Sequence, residues 1–168
     1  MLNIDFIDDG YKIKSIGCRD LLEVTQWFIK EYEPFDFEEL KQRFIEYYSS
    51  NGEVFIEIIR EETLRAILKG RVENQYSKEF FIGFYIVQEE YRHKGIGTEI
   101  LKCILKYMKS IGIEKVTVMV EGDNEKSLRF WEKQGFTIVR TVKDYFEKEY
   151  GDEDMIIMQK YMHNIEGT

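Results

Sequence analysis

The sequence predicts a mixed α/β fold in which a sheet of both strand directions is flanked by helices, and three observations carry that reading. Residues 63–72 alternate with period two, placing Leu64, Ala66, Leu68, Gly70 and Val72 on one side and Thr63, Arg65, Ile67, Lys69 and Arg71 on the other, as in a half-buried antiparallel strand. Gly97, Ile100, Leu101, Ile104, Leu105, Met108 and Ile111 recur at helical spacing. Phe80 to Val87 is apolar on both faces, which predicts a central strand.

The remaining elements fit around these. Tyr11 to Ile16 reads as a short strand, and Asp20 offers an N-cap for a helix to about Glu31 that buries Leu21, Leu22, Val24, Trp27 and Phe28. Pro34 ends that pattern, and a second helix fits Asp36 to Tyr48. Asn51-Gly52 turns the chain into the β-branched strand Glu53 to Ile59, and Glu61-Glu62 turns it back. Gly112 stops the helix that follows residue 97, and Val116, Val118 and Val120 mark the next strand. Asp123 or Asn124 starts a helix to about Gln134, with Gly135 as its stop. Phe136 to Val142 is a strand, Lys143 to Asp154 a polar, acidic connection, and Met155 to Tyr161 a last strand. No repeat or linker interrupts the order, which predicts a single domain over residues 1–168.

Composition narrows the function. A hydrophobic content of 43%, with 12 Phe and 11 Tyr, supports a full core. No apolar run is long enough for a membrane span, and the opening Met1-Leu2-Asn3-Ile4-Asp5 lacks a basic start before an apolar block, so a cytoplasmic protein without membrane attachment is expected. Cys18 and Cys103 are expected as reduced thiols, and with His93 and His163 they make no metal-binding constellation. A net charge of −8 disfavours a nucleic-acid partner and favours a cationic one.

The segment Arg92-His93-Lys94-Gly95-Ile96-Gly97 joins a strand to the first turn of a helix, where free backbone N–H groups can hold a phosphate. A P-loop needs Lys and then Ser or Thr directly after the last glycine, and Thr98-Glu99 stands there instead. A dinucleotide fingerprint needs a small residue where Ile100 stands. The stretch Val87 to Gly97 resembles the central motif of the GNAT family of N-acetyltransferases, Arg or Gln, two residues, Gly, one residue, then Gly or Ala. Asn124 to Phe136 is similar to their downstream motif of Asn, a small residue three later (Ser127), an aromatic seven later (Trp131) and Gly-Phe closing the helix.

That resemblance implies a mostly antiparallel sheet of six to seven strands with about four helices, and acetyl-CoA as cosubstrate. It implies that the pantetheine arm pairs with main-chain groups of Tyr85, Ile86 and Val87. The diphosphate would rest on N–H groups from Arg92 through His93, Lys94, Gly95, Ile96 and Gly97 to Thr98, with Asn124, Ser127 and Trp131 lining the arm. The implied reaction is attack of a primary amine on the thioester. An alkylamine with a pKa of about 10.4 must lose a proton first, and Glu121 is the first candidate for the base, Glu57 the second. Many members place Tyr where this chain has Trp131, which leaves Tyr85 or water to protonate the sulfur. Aromatic and acidic residues at 27–39 and 144–154 suit a cationic small molecule or a peptide terminus as acceptor. A non-catalytic acyl-CoA sensor or an interaction module of the same fold are the alternatives, and a homodimer is compatible with exposed strand edges.

Overall fold

A computed structural model describes residues 1–17, 19–21, 23, 24, 26, 42, 46, 48–146 and 153–162. Among the described residues, eight strands, rather than the expected six to seven, hydrogen-bond in the order β1-β2-β3-β4-β5-β6-β8-β7. They are β1 (Asp5–Asp8), β2 (Tyr11–Ser15), β3 (Glu53–Arg60), β4 (Thr63–Glu73), β5 (Glu79–Val87), β6 (Lys115–Glu121), β7 (Thr137–Phe146) and β8 (Glu153–Tyr161). Two helices are described over their whole length, α1 (Ile96–Ser110) and α2 (Glu125–Lys133). The chain divides into two compact units, Met1–Lys69 with Tyr85–Gly97, and Gly70–Phe84 with Thr98–Thr168. Among the described residues, no helix is long and apolar enough to cross a membrane.

In the first unit the unexpected strand is β1. It pairs with β2 from Asp8↔Tyr11 to Asp5↔Lys14, leaving Asp9 and Gly10 as a two-residue loop with φ of 49° and 77°. Those angles are the left-handed pair of a type I′ hairpin, and Asp-Gly is the sequence that favours it. β2 pairs antiparallel with β3, Lys14 opposite Glu57, and β3 is buried on both faces from Val54 to Ile58. Asp20 stands at the start of the helix as expected, with its side chain turned back toward the preceding residues. Its Oδ2 accepts from Gly17 N at 3.1 Å, and its carbonyl accepts from Val24 N at 3.0 Å. The described residues at 21, 23, 24, 26, 42, 46, 48 and 49 are helical, and the rest of the two expected helices, with Pro34, lies outside the described residues.

In the second unit β5 and β6 run parallel from Glu79↔Lys115 to Ile82↔Val118. Antiparallel pairs Lys115↔Tyr161 to Glu121↔Met155 join β6 to β8. α1 buries Ile100, Leu101, Cys103, Ile104 and Met108. Both expected glycine stops are Schellman caps. Gly112 (φ 92°) bonds to Lys109 O while Ile113 N reaches Met108 O; Gly135 (φ 84°) bonds to Glu132 O while Phe136 N reaches Trp131 O. The acidic connection is shorter than expected, because β7 extends to Phe146 and β8 begins at Glu153. There Lys143 Nζ pairs with Asp154 Oδ2, and Asp144 N donates to Asp154 Oδ1 at 3.1 Å, so polar side chains hold the strand ends together. Residues 147–152 lie outside the described residues.

The turn between β3 and β4 places two non-glycine residues in the left-handed region, Glu61 (φ 53°) and Glu62 (φ 56°). Each costs roughly 1 kcal/mol relative to a residue at ease there. The double variant Glu61→Asn, Glu62→Gly is expected to raise stability by about 1 kcal/mol, read as a higher urea midpoint at unchanged slope.

Candidate functional site

β5 continues past its last pair with β6, Ile82↔Val118, to Val87, and Gly83 is exposed where the pairing ends. Tyr85, Ile86 and Val87 are half-buried. The following turn is built from within the first unit. Gln88 N donates to Arg65 O at 2.9 Å, a single 3-10 turn covers Glu89–Tyr91, and the Arg65 guanidinium lies 4.0 Å from the Tyr91 ring centre. Arg92 folds back so that its Nε donates to Val87 O at 2.7 Å. Part of this cation is therefore spent on shaping the turn.

His93 (φ 60°) and Gly95 (φ 82°) are left-handed. A Cβ on Gly95 would meet nothing within 4 Å, so the glycine serves the backbone angle and leaves open space above it. His93, Lys94 and Gly95 are exposed, and Ile96, Gly97 and Thr98 are half-buried at the start of α1. The first N–H groups of a helix have no partner within it, so this turn offers donors and the positive end of the helix dipole together.

Two side chains reach the first turn of α1 that sequence reasoning did not put there. Tyr85 OH donates to Gly97 O at 2.8 Å, within the first unit. Gln134 Nε2 donates to Thr98 Oγ1 at 3.0 Å, within the second. A phenol that gives its proton to a backbone carbonyl acts as a clamp on the turn.

On α2, Asn124 is the N-cap, its Oδ1 accepting from Ser127 N at 3.1 Å, so its amide NH2 end is the part that can serve a ligand. Ser127 is half-buried one turn along. Trp131 is only 6% exposed and meets Phe130 and Phe136 edge-on, at 5.1 and 5.0 Å between ring centres. Its contacts are those of a packing residue.

The two candidate carboxylates have unlike surroundings. Glu121 is exposed at the end of β6, opposite Met155. Glu57 is buried, and its Oε1 lies 2.7 Å from Lys14 Nζ, which is also 3.3 Å from Asp20 Oδ2. Burial pushes the Glu57 carboxyl above its usual range, with Lys14 pulling it partly back, while the hydrogen bond to Glu57 raises Lys14. Of the expected acceptor-side residues, Asp144, Tyr145, Glu153 and Asp154 are described, and those at 27–39 and 147–152 are not. Among the described residues, no group of three or more His, Cys, Asp or Glu is placed to hold a metal.

The family described as "Acetyltransferase (GNAT) domain" matches residues 13–157. Mycothiol acetyltransferase of Propionibacterium freudenreichii is 32% identical over 59 residues, 35% of this chain and 19% of that one. N-alpha-acetyltransferase 30 of Schizosaccharomyces pombe is 30% identical over 66 residues, 39% of this chain and 44% of that one. The matched segments thus span less than half of these curated relatives. Spermidine N-acetyltransferase from Vibrio cholerae, solved in complex with CoA and spermine, superposes with a TM-score of 0.78 at 16% identity over 92% of this chain and 96% of that one.

The Lys14–Glu57 pair generates a pH prediction. In Lys14→Met the buried carboxyl loses the ammonium that lowers it, so the folded protein holds a proton that the unfolded chain releases near pH 4.5. Stability then falls as pH rises from that value through the raised folded value, and is flat beyond it. Urea unfolding is expected to show a loss of roughly 3 kcal/mol at pH 8 that shrinks toward pH 5. A loss independent of pH would assign the pair no linked proton.

Proposed function

Because the chain belongs to the GNAT acetyltransferase family, matched over residues 13–157, we propose that it transfers the acetyl group of acetyl-CoA to a primary amine by direct attack. The observation that carries this reading is the run from β5 through the open glycine turn into α1. β5 runs on past its last pair with β6 through Tyr85, Ile86 and Val87, which suits an arm that pairs as an added strand. The Arg92 N–H, expected among the donors, is taken by Glu89 O at 3.1 Å, and the N–H groups from His93 to Thr98, with the exposed Lys94 and His93, suit a diphosphate. On α2, Asn124 NH2 and Ser127 are polar groups of the kind such an arm would take, and Trp131 meets Phe130 and Phe136.

In the reaction the amine lone pair attacks the thioester carbon, the C–S bond breaks, and the amine proton passes to a carboxylate through water. A backbone N–H near Val87 stabilises the oxyanion. Glu121, exposed at a strand end where water and an amine can reach it, is the base we favour over the buried Glu57. CoA leaves as a thiolate, and with a thiol pKa of about 8.5 it needs no acid from Tyr85. The acceptor we propose is a cationic small-molecule amine or a peptide terminus, in keeping with the net charge of −8 and the acids Glu121, Asp123, Asp144 and Glu153. Commitment of Tyr85 to Gly97 and burial of Trp131 are the observations that favour the second reading, an acyl-CoA sensor without chemistry.

A calorimetric titration is expected to give micromolar binding of acetyl-CoA that is lost in Gly95→Glu, Gly97→Glu. Thiol release on adding spermine or a peptide with a free α-amine then separates enzyme from sensor, and no binding by the folded native protein would sink both. Tyr85→Phe is expected to raise KM for acetyl-CoA about fivefold, the loss of one hydrogen bond, with kcat and its pH profile unchanged. A fall in kcat with an altered alkaline limb would restore Tyr85 as the acid.

A further inference from the structure

Gln134 has no free choice of position. It is the C-cap of α2, its backbone N donates to Phe130 O at 3.1 Å and Trp131 O at 3.0 Å, and its carbonyl accepts from Lys160 Nζ at 2.6 Å. The left-handed Gly135 fixes the chain immediately after it. From this anchored, half-buried backbone the side-chain amide spans to α1 and donates through Nε2 to Thr98 Oγ1 at 3.0 Å. Thr98, Gln134 and Lys160 all belong to the second unit.

A threonine hydroxyl has one proton to give and two lone pairs to receive. With Gln134 filling a lone pair, the Thr98 proton must be directed elsewhere, and the turn it stands on is the one whose N–H groups lack helical partners. A hydroxyl that already accepts a hydrogen bond is polarised and is a stronger donor. We propose that Gln134 is a positioning residue for the cosubstrate: it holds the Thr98 hydroxyl as an acceptor so that its proton is presented to the diphosphate. This rests on the acetyl-CoA reading above. The Lys160 ammonium, bonded to the Gln134 carbonyl, fixes the same cap and adds positive charge behind it.

The test uses Gln134→Met, which keeps length and loses the donor, and Gln134→Glu, which can only accept and so draws the Thr98 proton toward itself. Affinity and steady-state rates are measured with acetyl-CoA and with S-acetyl-pantetheine, which lacks the diphosphate, and Thr98→Val serves as a parallel variant. The expected result is about a tenfold rise in Kd and KM for acetyl-CoA in Gln134→Glu, the size of one hydrogen bond to a charged group, with kcat unmoved. Neither Gln134 variant should alter KM for S-acetyl-pantetheine. Placed on Thr98→Val, Gln134→Met should have no further effect on Kd, because the two residues act through one contact. Equal losses with both donors, or a Gln134→Met effect that persists on Thr98→Val, would overturn the proposal. Should Gln134 variants unfold, a Thr98→Val protein with native affinity for acetyl-CoA overturns it alone. Failure of the folded native protein to bind acetyl-CoA overturns the cosubstrate reading and this role with it.

Discussion

Glu79 lies buried at the start of β5 with its carboxylate shared between Lys115 Nζ, at 2.9 Å, and the Thr117 hydroxyl, both on β6. An isolated carboxylate so far from water would be strongly unfavourable, so the strands are stable together only in the register that brings both partners to it. That register puts Glu79 opposite Lys115 and ends at Ile82↔Val118. A second contact, Lys78 Nζ to Glu114 Oε1 at 2.6 Å, secures the same end of the pair from the solvent side. The parallel seam is thereby fixed at one end and short. The remainder of β5 runs on past that last pair to Val87, where the chain turns toward α1, and the proposed pairing of the cosubstrate arm depends on that.

The turn itself is held by side chains with other apparent vocations. Arg92 and Tyr85, a cation and a phenol next to a proposed anion site, are both directed at backbone carbonyls, those of Val87 and Gly97. Rigid placement of N–H donors is worth more to anion recognition than one further mobile charge, because preorganised donors need no reordering when the ligand arrives. The same economy separates the two carboxylates. Glu57 is pinned by Lys14 and tied through it to Asp20 at a helix start, whereas Glu121 ends β6 exposed.

Most of the fold was legible where a local rule has a single solution. Gly112 and Gly135 are readable as stops because only glycine takes the left-handed C′ position at no cost, and the start of α2 is narrowed to Asp123 or Asn124 because a helix start needs a short acceptor, the structure choosing Asn124. β1 was missed although Asp9-Gly10 announced a hairpin, since four residues ending in Asp8 carry too little alternation to register as a strand. Lys143 to Phe146 reads as a connection in the sequence because its pairing rests on Lys143, Asp144 and Asp154 rather than on apolar residues. Of the site, the glycine turn and the α2 cap could be read, and the contacts of Tyr85, Gln134 and Glu57 could not. Each joins residues from 12 to 43 positions apart through polar atoms, and no periodicity encodes such a meeting. Gly70 is similar: its lack of a side chain matters because a Cβ would strike the Phe81 carbonyl, a crowding seen only once the strands are side by side.

The hairpin of β1 and β2 also bears on the order in which the chain acquires structure. Its innermost partners, Asp8 and Tyr11, are three residues apart, so it can zip within microseconds, while Lys14 and Glu57 must close a long loop before their attraction is felt. Contacts of such unequal reach give a nascent chain a rigid local ribbon first and its long-range pairings later. Until β3 arrives, β2 carries an unpaired edge with Tyr11 and Ile13 uncovered, and that interval is when the young polypeptide is most open to association with its neighbours.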